Sequence, residues 1–139
     1  MNRVELKKEL IRAGIRPSVQ RLAIYEYVKM TKQHPTAECV YESLRDKLGS
    51  LSLTTVYNTL KLFVDAGLVI MLNIDNTFHC FDGDTHPHAH FRCNTCGKIY
   101  DFPMKRDYHA LVEDAEGFDV TEAQLYLKGI CKVCKSLKN

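Results

Sequence analysis

Between Asp82 and Asp101 the chain reads DGDTHPHAHFRCNTCGKIYD, and two kinds of metal-ligand chemistry are interleaved there. Cys93 and Cys96 form a C-x-x-C pair, which offers soft thiolates. His86, His88 and His90 alternate just before it, bracketed by Asp82 and Asp101, and offer imidazole nitrogen and carboxylate oxygen. A second C-x-x-C, Cys131 and Cys134, raises the sulfur set to four. A closed sulfur site beside a mixed His/Asp site suggests one metal that holds the fold and another that is sensed.

Four thiolates suit tetrahedral Zn²⁺, with each C-x-x-C turn presenting two sulfurs to one point about 2.3 Å away. Cys93–Lys98 reads as a zinc knuckle, with Gly97 allowing the tight turn. Such a site would staple the C-terminal tail onto a domain too small to be stable alone. The bland alternative is buried or redox-active thiols. A thiol–disulfide protein would need an accessible cysteine of low pKa, often at a helix N-terminus, whereas both pairs are expected in strand or knuckle contexts. Cys39 and Cys80 each lie alone in an apolar pattern and are expected to be small buried residues. On an extended strand His86, His88 and His90 share a face, and with carboxylates they suit a divalent iron, manganese or zinc ion. The competing reading is a polar surface strand. His34, before Pro35, reads by itself as a surface residue.

These side chains need elements to carry them, and the pattern is α+β. Helical stripes run through Leu6, Leu10 and Ile11, then Val19, Ala23, Ile24, Tyr27 and Val28, with Pro17 suited to a first helical turn. Ala37–Leu48 follows behind Thr36 as N-cap. A fourth helix starts after Ser52, buries Leu53, Val56, Leu60, Phe63 and Val64, and stops at Gly67. Leu68–Leu72 and Thr77–Phe81 flank the turn-forming Asn73–Asn76 as a hairpin. Packed helices followed by a hairpin predict a winged helix-turn-helix over residues 1–82. Residues 83–139 predict a small α/β domain: strands at His90–Arg92 and Lys98–Phe102, a helix at Tyr108–Ala115 and a strand region at Val120–Ile130. With 139 residues, 45% apolar, the chain can make one ordinary domain or two small ones. No apolar run is long enough for a membrane span, so a cytoplasmic, reducing location is expected. The net charge of +2 permits nucleic-acid binding without arguing for it.

The fourth helix argues more directly. Thr54, Thr55, Asn58 and Lys61 fall opposite its apolar stripe, with Tyr57 at the edge. These groups hydrogen-bond bases and phosphates in a major groove, and Arg12, Arg16, Arg21 and Lys61 could meet phosphates.

Several motifs together resemble the ferric uptake regulator superfamily of bacterial metal-dependent repressors. They are R-P-S-V-Q-R at Arg16–Arg21, H-P-T-A-E at His34–Glu38, L-T-T-V-Y-N-T-L at Leu53–Leu60, H-x-H-F-R-C-x-x-C-G-K at His88–Lys98 and the terminal C-x-x-C. The resemblance implies a non-enzymatic homodimer with an N-terminal winged helix and a C-terminal α/β dimerisation domain. It implies structural zinc on Cys93, Cys96, Cys131 and Cys134, a palindromic double-stranded operator, and DNA contacts that include Arg16, Gln20, Thr54, Thr55, Tyr57, Asn58 and Lys61. Within the superfamily the chain looks most like the peroxide-sensing repressors. Their regulatory Fe²⁺ or Mn²⁺ is implied on His34, Asp82, His88, His90 and Asp101, with His34 or His88 oxidised by hydrogen peroxide. Iron-sensing relatives tend to carry Glu in place of Asp82 and Asp101 and Arg in place of Asn58. An iron-, zinc- or manganese-responsive repressor of the same fold is the nearest alternative. Tyr108 and Gln124 stand where an accessory metal site would need Glu and His, so no third metal is expected, and His86 lies outside the ligand pattern.

Overall fold

The computed structural model describes residues 2–73 and 79–137. The chain divides into two compact units, Met1–Thr85 and His86–Asn139.

The first unit is helical. α1 (Arg3–Arg12), α2 (Val19–Met30), α3 (Ala37–Leu44) and α4 (Leu53–Asp65) precede a short antiparallel ladder of β1 (Ile70–Leu72) and β2 (Cys80–Asp82). Each of the last three helices starts on a hydroxyl cap: Ser18, Thr36 and Ser52 accept the backbone N–H of Arg21, Cys39 and Thr55. These bonds satisfy donors that the first turn leaves open. α1 and α4 end alike, on Gly14 and Gly67 with positive φ. There Ile15 N–H reaches Leu10 O and Leu68 N–H reaches Phe63 O, the long bond of a Schellman stop. Leu6, Leu10, Ile24, Tyr25, Val28, Val40, Val56, Leu60, Phe63 and Phe81 are buried together, with the Tyr25 and Phe63 rings edge to face at 5.2 Å. Each large apolar side chain so buried contributes about 1.5–3 kcal/mol. Helices followed by a two-stranded ladder match the element order expected for this unit.

The details depart from expectation at several places. Pro17 lies before the cap of α2 rather than inside its first turn. Val19 and Leu53 open their helices one turn ahead of the first core position and stay exposed, as does Ile11, which turns away from the Leu6–Leu10 face. Cys39 is exposed, not buried, because α3 turns Val40 and Leu44 inward instead; Cys80 is buried. The expected turn Asn73–Asn76 and the start of the strand after it lie largely outside the described residues.

The second unit is a three-stranded sheet in the order β4–β3–β5, made of β3 (His88–Cys93), β4 (Ile99–Pro103) and β5 (Leu125–Gly129), followed by α5 (Lys132–Leu137). β3 runs antiparallel to β4 and parallel to β5. Its buried cluster is small: Cys93, Cys131 and Cys134, with Phe91 and Tyr100 against them. The helix expected at Tyr108–Ala115 is only a four-residue 3₁₀ turn, Tyr108–Leu111. Leu111 and Val112 are exposed, so no buried stripe supports a longer helix. β5 begins later than the expected strand region, and α5 is a further element beyond the expected ones. The division between units falls after Thr85, and the Gly83 carbonyl accepts from Lys29 of α2. Among the described residues no helix is long and apolar enough to cross a membrane.

Candidate metal centres and DNA-binding face

Two turns bring the four cysteines to one point. Cys93 closes β3, and Gly97, with φ +77°, returns its N–H to Cys93 O at 2.9 Å. Cys131 directly precedes α5, and Cys134 lies in that helix's first turn. The four sulfurs lie within 4.8 Å of one another, with Cys96 and Cys131 at 3.9 Å. Tetrahedral zinc with sulfurs at about 2.3 Å separates them by about 3.8 Å. Backbone N–H groups of Cys131 and Cys96 donate to Cys93 Sγ at 3.3 and 3.5 Å, and Cys134 N–H donates to Cys131 Sγ at 3.4 Å. These donors lower the Cys93 thiol to about 5 and lower Cys131 as well. Cys134 is pushed up to about 12, chiefly by its bond to Cys131. The arrangement fits a divalent ion: two sulfurs are poised as thiolates and the others crowd the same point. The expectation that both pairs avoid helix starts fails for Cys131, which stands at the head of α5.

The mixed set occurs as two pairs of elements, one in each unit. In the first unit His34 Nε2 lies 3.4 Å from Asp82 Oδ2, and both residues are buried. That separation exceeds a good hydrogen bond and suits neighbouring ligands on one ion, which stand roughly 3–3.5 Å apart at bond lengths near 2.1 Å. His34 has φ +52° and precedes Pro35, a combination that a residue with a Cβ rarely adopts. The histidine is buried despite its place in a loop, and backbone strain of this kind clusters at functional positions. Phe81 N–H donates to Pro35 O at 2.8 Å and ties β2 to this loop. Asp84 N–H donates to Asp82 Oδ1 at 2.9 Å.

In the second unit the register of β3 on β4 sets His90 directly opposite Asp101. His88, two residues earlier, shares that face. Asp101 Oδ1 is 3.4 Å from His90 Nε2 and 3.6 Å from His88 Nε2. The backbone carbonyl of His86 accepts from His88 Nδ1–H at 2.6 Å, which leaves the Nε2 lone pair toward Asp101. The ring of His86 has no place in the pattern, but its carbonyl orients the next histidine. Alternating spacing could not have revealed a backbone role.

On α4, Thr54, Tyr57, Asn58 and Lys61 are exposed and Thr55 is half-buried, opposite Val56, Leu60 and Phe63. Arg16 is exposed just before α2. The Gln20 amide donates to Ser50 Oγ at 3.1 Å, which joins the start of α2 to the turn before α4. The Arg21 guanidinium donates to Arg16 O at 2.9 Å.

The ferric uptake regulator family model matches residues 12–128. The chain belongs to the ferric uptake regulator family. It is 39% identical over 132 residues to the peroxide-responsive repressor PerR of Staphylococcus epidermidis, covering 94% of this chain and 88% of that protein. Among solved structures, the Vibrio cholerae ferric uptake regulator aligns with a TM-score of 0.70 at 32% identity, over 90% of this chain and 98% of that one. PerR from Streptococcus pyogenes aligns with a TM-score of 0.55 at 34% identity, over 95% and 92%. The family match ends before Cys131 and Cys134. The claim of those two residues to a metal therefore stands on their own geometry.

Proposed function

We propose that this chain is a homodimeric, metal-dependent repressor that releases operator DNA when hydrogen peroxide oxidises one of its histidine ligands. The observation that carries the reading is the pair of His/Asp half-sites, His34 with Asp82 and His88 and His90 with Asp101, each at ligand-to-ligand spacing. One Fe²⁺ or Mn²⁺ takes ligands from both, while Zn²⁺ holds Cys93, Cys96, Cys131 and Cys134. The similarity to peroxide-responsive repressors supports the choice of signal. Short aspartate arms support it too, because they separate this chain from the glutamates expected of iron sensors.

The ligands do the coupling. His34 and Asp82 belong to the winged-helix unit and the other three to the sheet unit, so a shared ion selects one arrangement of the DNA-reading helix. Thr54, Thr55, Tyr57, Asn58 and Lys61 then read one half-site of a palindrome, with Arg16 and Gln20 at its edge, and a two-fold partner reads the other. Exposed Phe102, Leu111, Phe118, Leu125 and Leu127 in the second unit favour such a partner. An Fe²⁺ ion held by these residues would supply the redox chemistry by which H₂O₂ passes one oxygen to the His34 or His88 imidazole and leaves as water. An imidazole altered in this way is a poor ligand. The two half-sites then part and DNA is released. No enzymatic turnover is involved.

The test uses anaerobic Fe²⁺-loaded protein and a DNA duplex that the protein has selected from random sequence. Stoichiometric peroxide should add the mass of one oxygen to the peptide carrying His34 or His88 and abolish DNA binding, while the Mn²⁺ form stays bound and unmodified. DNA binding that follows metal concentration alone, with no mass gain, identifies an iron-, zinc- or manganese-responsive repressor instead.

A further inference from the structure

Asp82 is held in place by a residue that is not a ligand. Immediately after β2, the buried Gly83 lies against the last turn of α2. A Cβ there would stand 2.6 Å from Val28 O and 3.0 Å from Lys29 Cα, so the backbone approaches as closely as only glycine allows. The Lys29 ammonium completes the contact by donating to Gly83 O at 2.7 Å. Lys29 is itself fixed: its Nζ sits 5.5 Å from the centre of the Tyr25 ring, and the buried Tyr25 hydroxyl donates to Glu9 at 2.5 Å. On the other side of Asp82, Phe81 N–H is tied to Pro35 O, next to His34. The aspartate therefore hangs between two anchors, one on the His34 loop and one on α2.

We propose that Lys29 is a positioning residue for the regulatory metal: through the Gly83 carbonyl it fixes the Asp82 carboxylate at His34 before the ion arrives. The inference rests on His34 and Asp82 being ligands, as proposed above. A ligand ordered in advance does not have its freedom removed on binding, and the saving appears as affinity. The geometry also separates positioning from charge. A lysine acting only through its positive charge would repel a divalent cation, so removing it would tighten binding. A lysine acting through Gly83 makes binding weaker when it is removed.

Mn²⁺ affinity of the full-length, zinc-loaded protein reads the difference, measured by the loss of the free-ion electron paramagnetic resonance signal. Lys29→Met should weaken Mn²⁺ binding about tenfold, as losses of outer-sphere support do. Lys29→Arg, which can still reach the carbonyl, should recover most of it. The thermal midpoint without Mn²⁺ should stay near that of the parent. Lys29 borders an open cavity of about 360 Å³ shared with Arg12 and Thr85, so its replacement leaves no sealed void. Asp82→Ala is the control: if it binds Mn²⁺ as tightly as the parent, the metal assignment itself fails. If Asp82→Ala abolishes binding while Lys29→Met binds as well as the parent or better, positioning by Lys29 is overturned. A Lys29→Met loss that Lys29→Arg does not recover overturns it as well.

Discussion

Tyr100 shows how one neighbouring side chain tunes a sulfur site. The phenol packs against the sulfur cluster, and its interaction with Cys131, then burial, pushes it up to about 12. Cys131 is lowered first by the Cys134 N–H and then by the phenol hydroxyl. Lys98 Nζ, 5.0 Å from the Tyr100 ring centre, braces the ring. Removing the hydroxyl leaves a more basic thiolate that protons and electrophiles capture more readily. Tyr100→Phe should therefore keep the fold and release zinc to a competing chelator about tenfold faster. A zinc-sensitive dye measures that rate, and an unchanged rate would show that the donor is idle. The limits of sequence reading are visible at this scale. Residue type and spacing picked out the four sulfurs that the turns gather, and His88 and His90 with Asp82 and Asp101 beside them; His34 read as a surface residue until the family resemblance brought it into the set. Type and spacing could not pick out Tyr100, the His86 carbonyl or the strained backbone of His34. Those roles depend on which atoms the folded backbone turns toward the site. Cys39 failed for the same reason, since its exposure depends on which face α3 buries.

An element succeeds when several local signals agree. α4 has a serine cap, an apolar stripe at helical period and a glycine stop with φ +77°, and all three were legible beforehand. α5, six residues long, offers neither stripe nor cap to read, and the 3₁₀ turn at Tyr108–Leu111 had apolar residues but nothing to bury them against. The strand pair β3–β4 was legible as two segments. The register that sets His90 against Asp101 is a property of pairing, and a slip of one residue would turn both to opposite faces. The cap of α4 is testable by itself. Ser52 Oγ accepts from Thr55 N–H at 3.1 Å and donates to Thr55 Oγ1 at 2.9 Å. Ser52→Ala should cost about 1 kcal/mol in urea unfolding. It should also weaken DNA binding by freeing the first turn, where Thr54 and Thr55 stand. Unfolding that is unchanged would mean that solvent caps the helix equally well.

At the scale of the molecule, neither unit holds all five of the proposed regulatory ligands. His34 and Asp82 lie in Met1–Thr85, and His88, His90 and Asp101 lie in His86–Asn139. If one ion joins them, metal binding and DNA binding are linked through the arrangement of the units, and linkage is reciprocal. The factor by which Mn²⁺ raises affinity for the operator must equal the factor by which the operator raises affinity for Mn²⁺, on the order of tenfold for a coupling of ordinary size. Both arms are measurable on one preparation: operator titrations with and without saturating Mn²⁺, and Mn²⁺ titrations with and without saturating operator. Ionic strength must be held constant, because phosphate contacts are salt-dependent. Asp101→Ala should collapse both factors toward unity together, since it removes the carboxylate shared by His88 and His90. The Cys₄ cluster should keep its zinc in that variant, so the loss cannot be blamed on an unfolded second unit. Two arms that disagree, or a coupling that survives Asp101→Ala, would mean that Mn²⁺ acts on DNA binding from somewhere other than these five ligands.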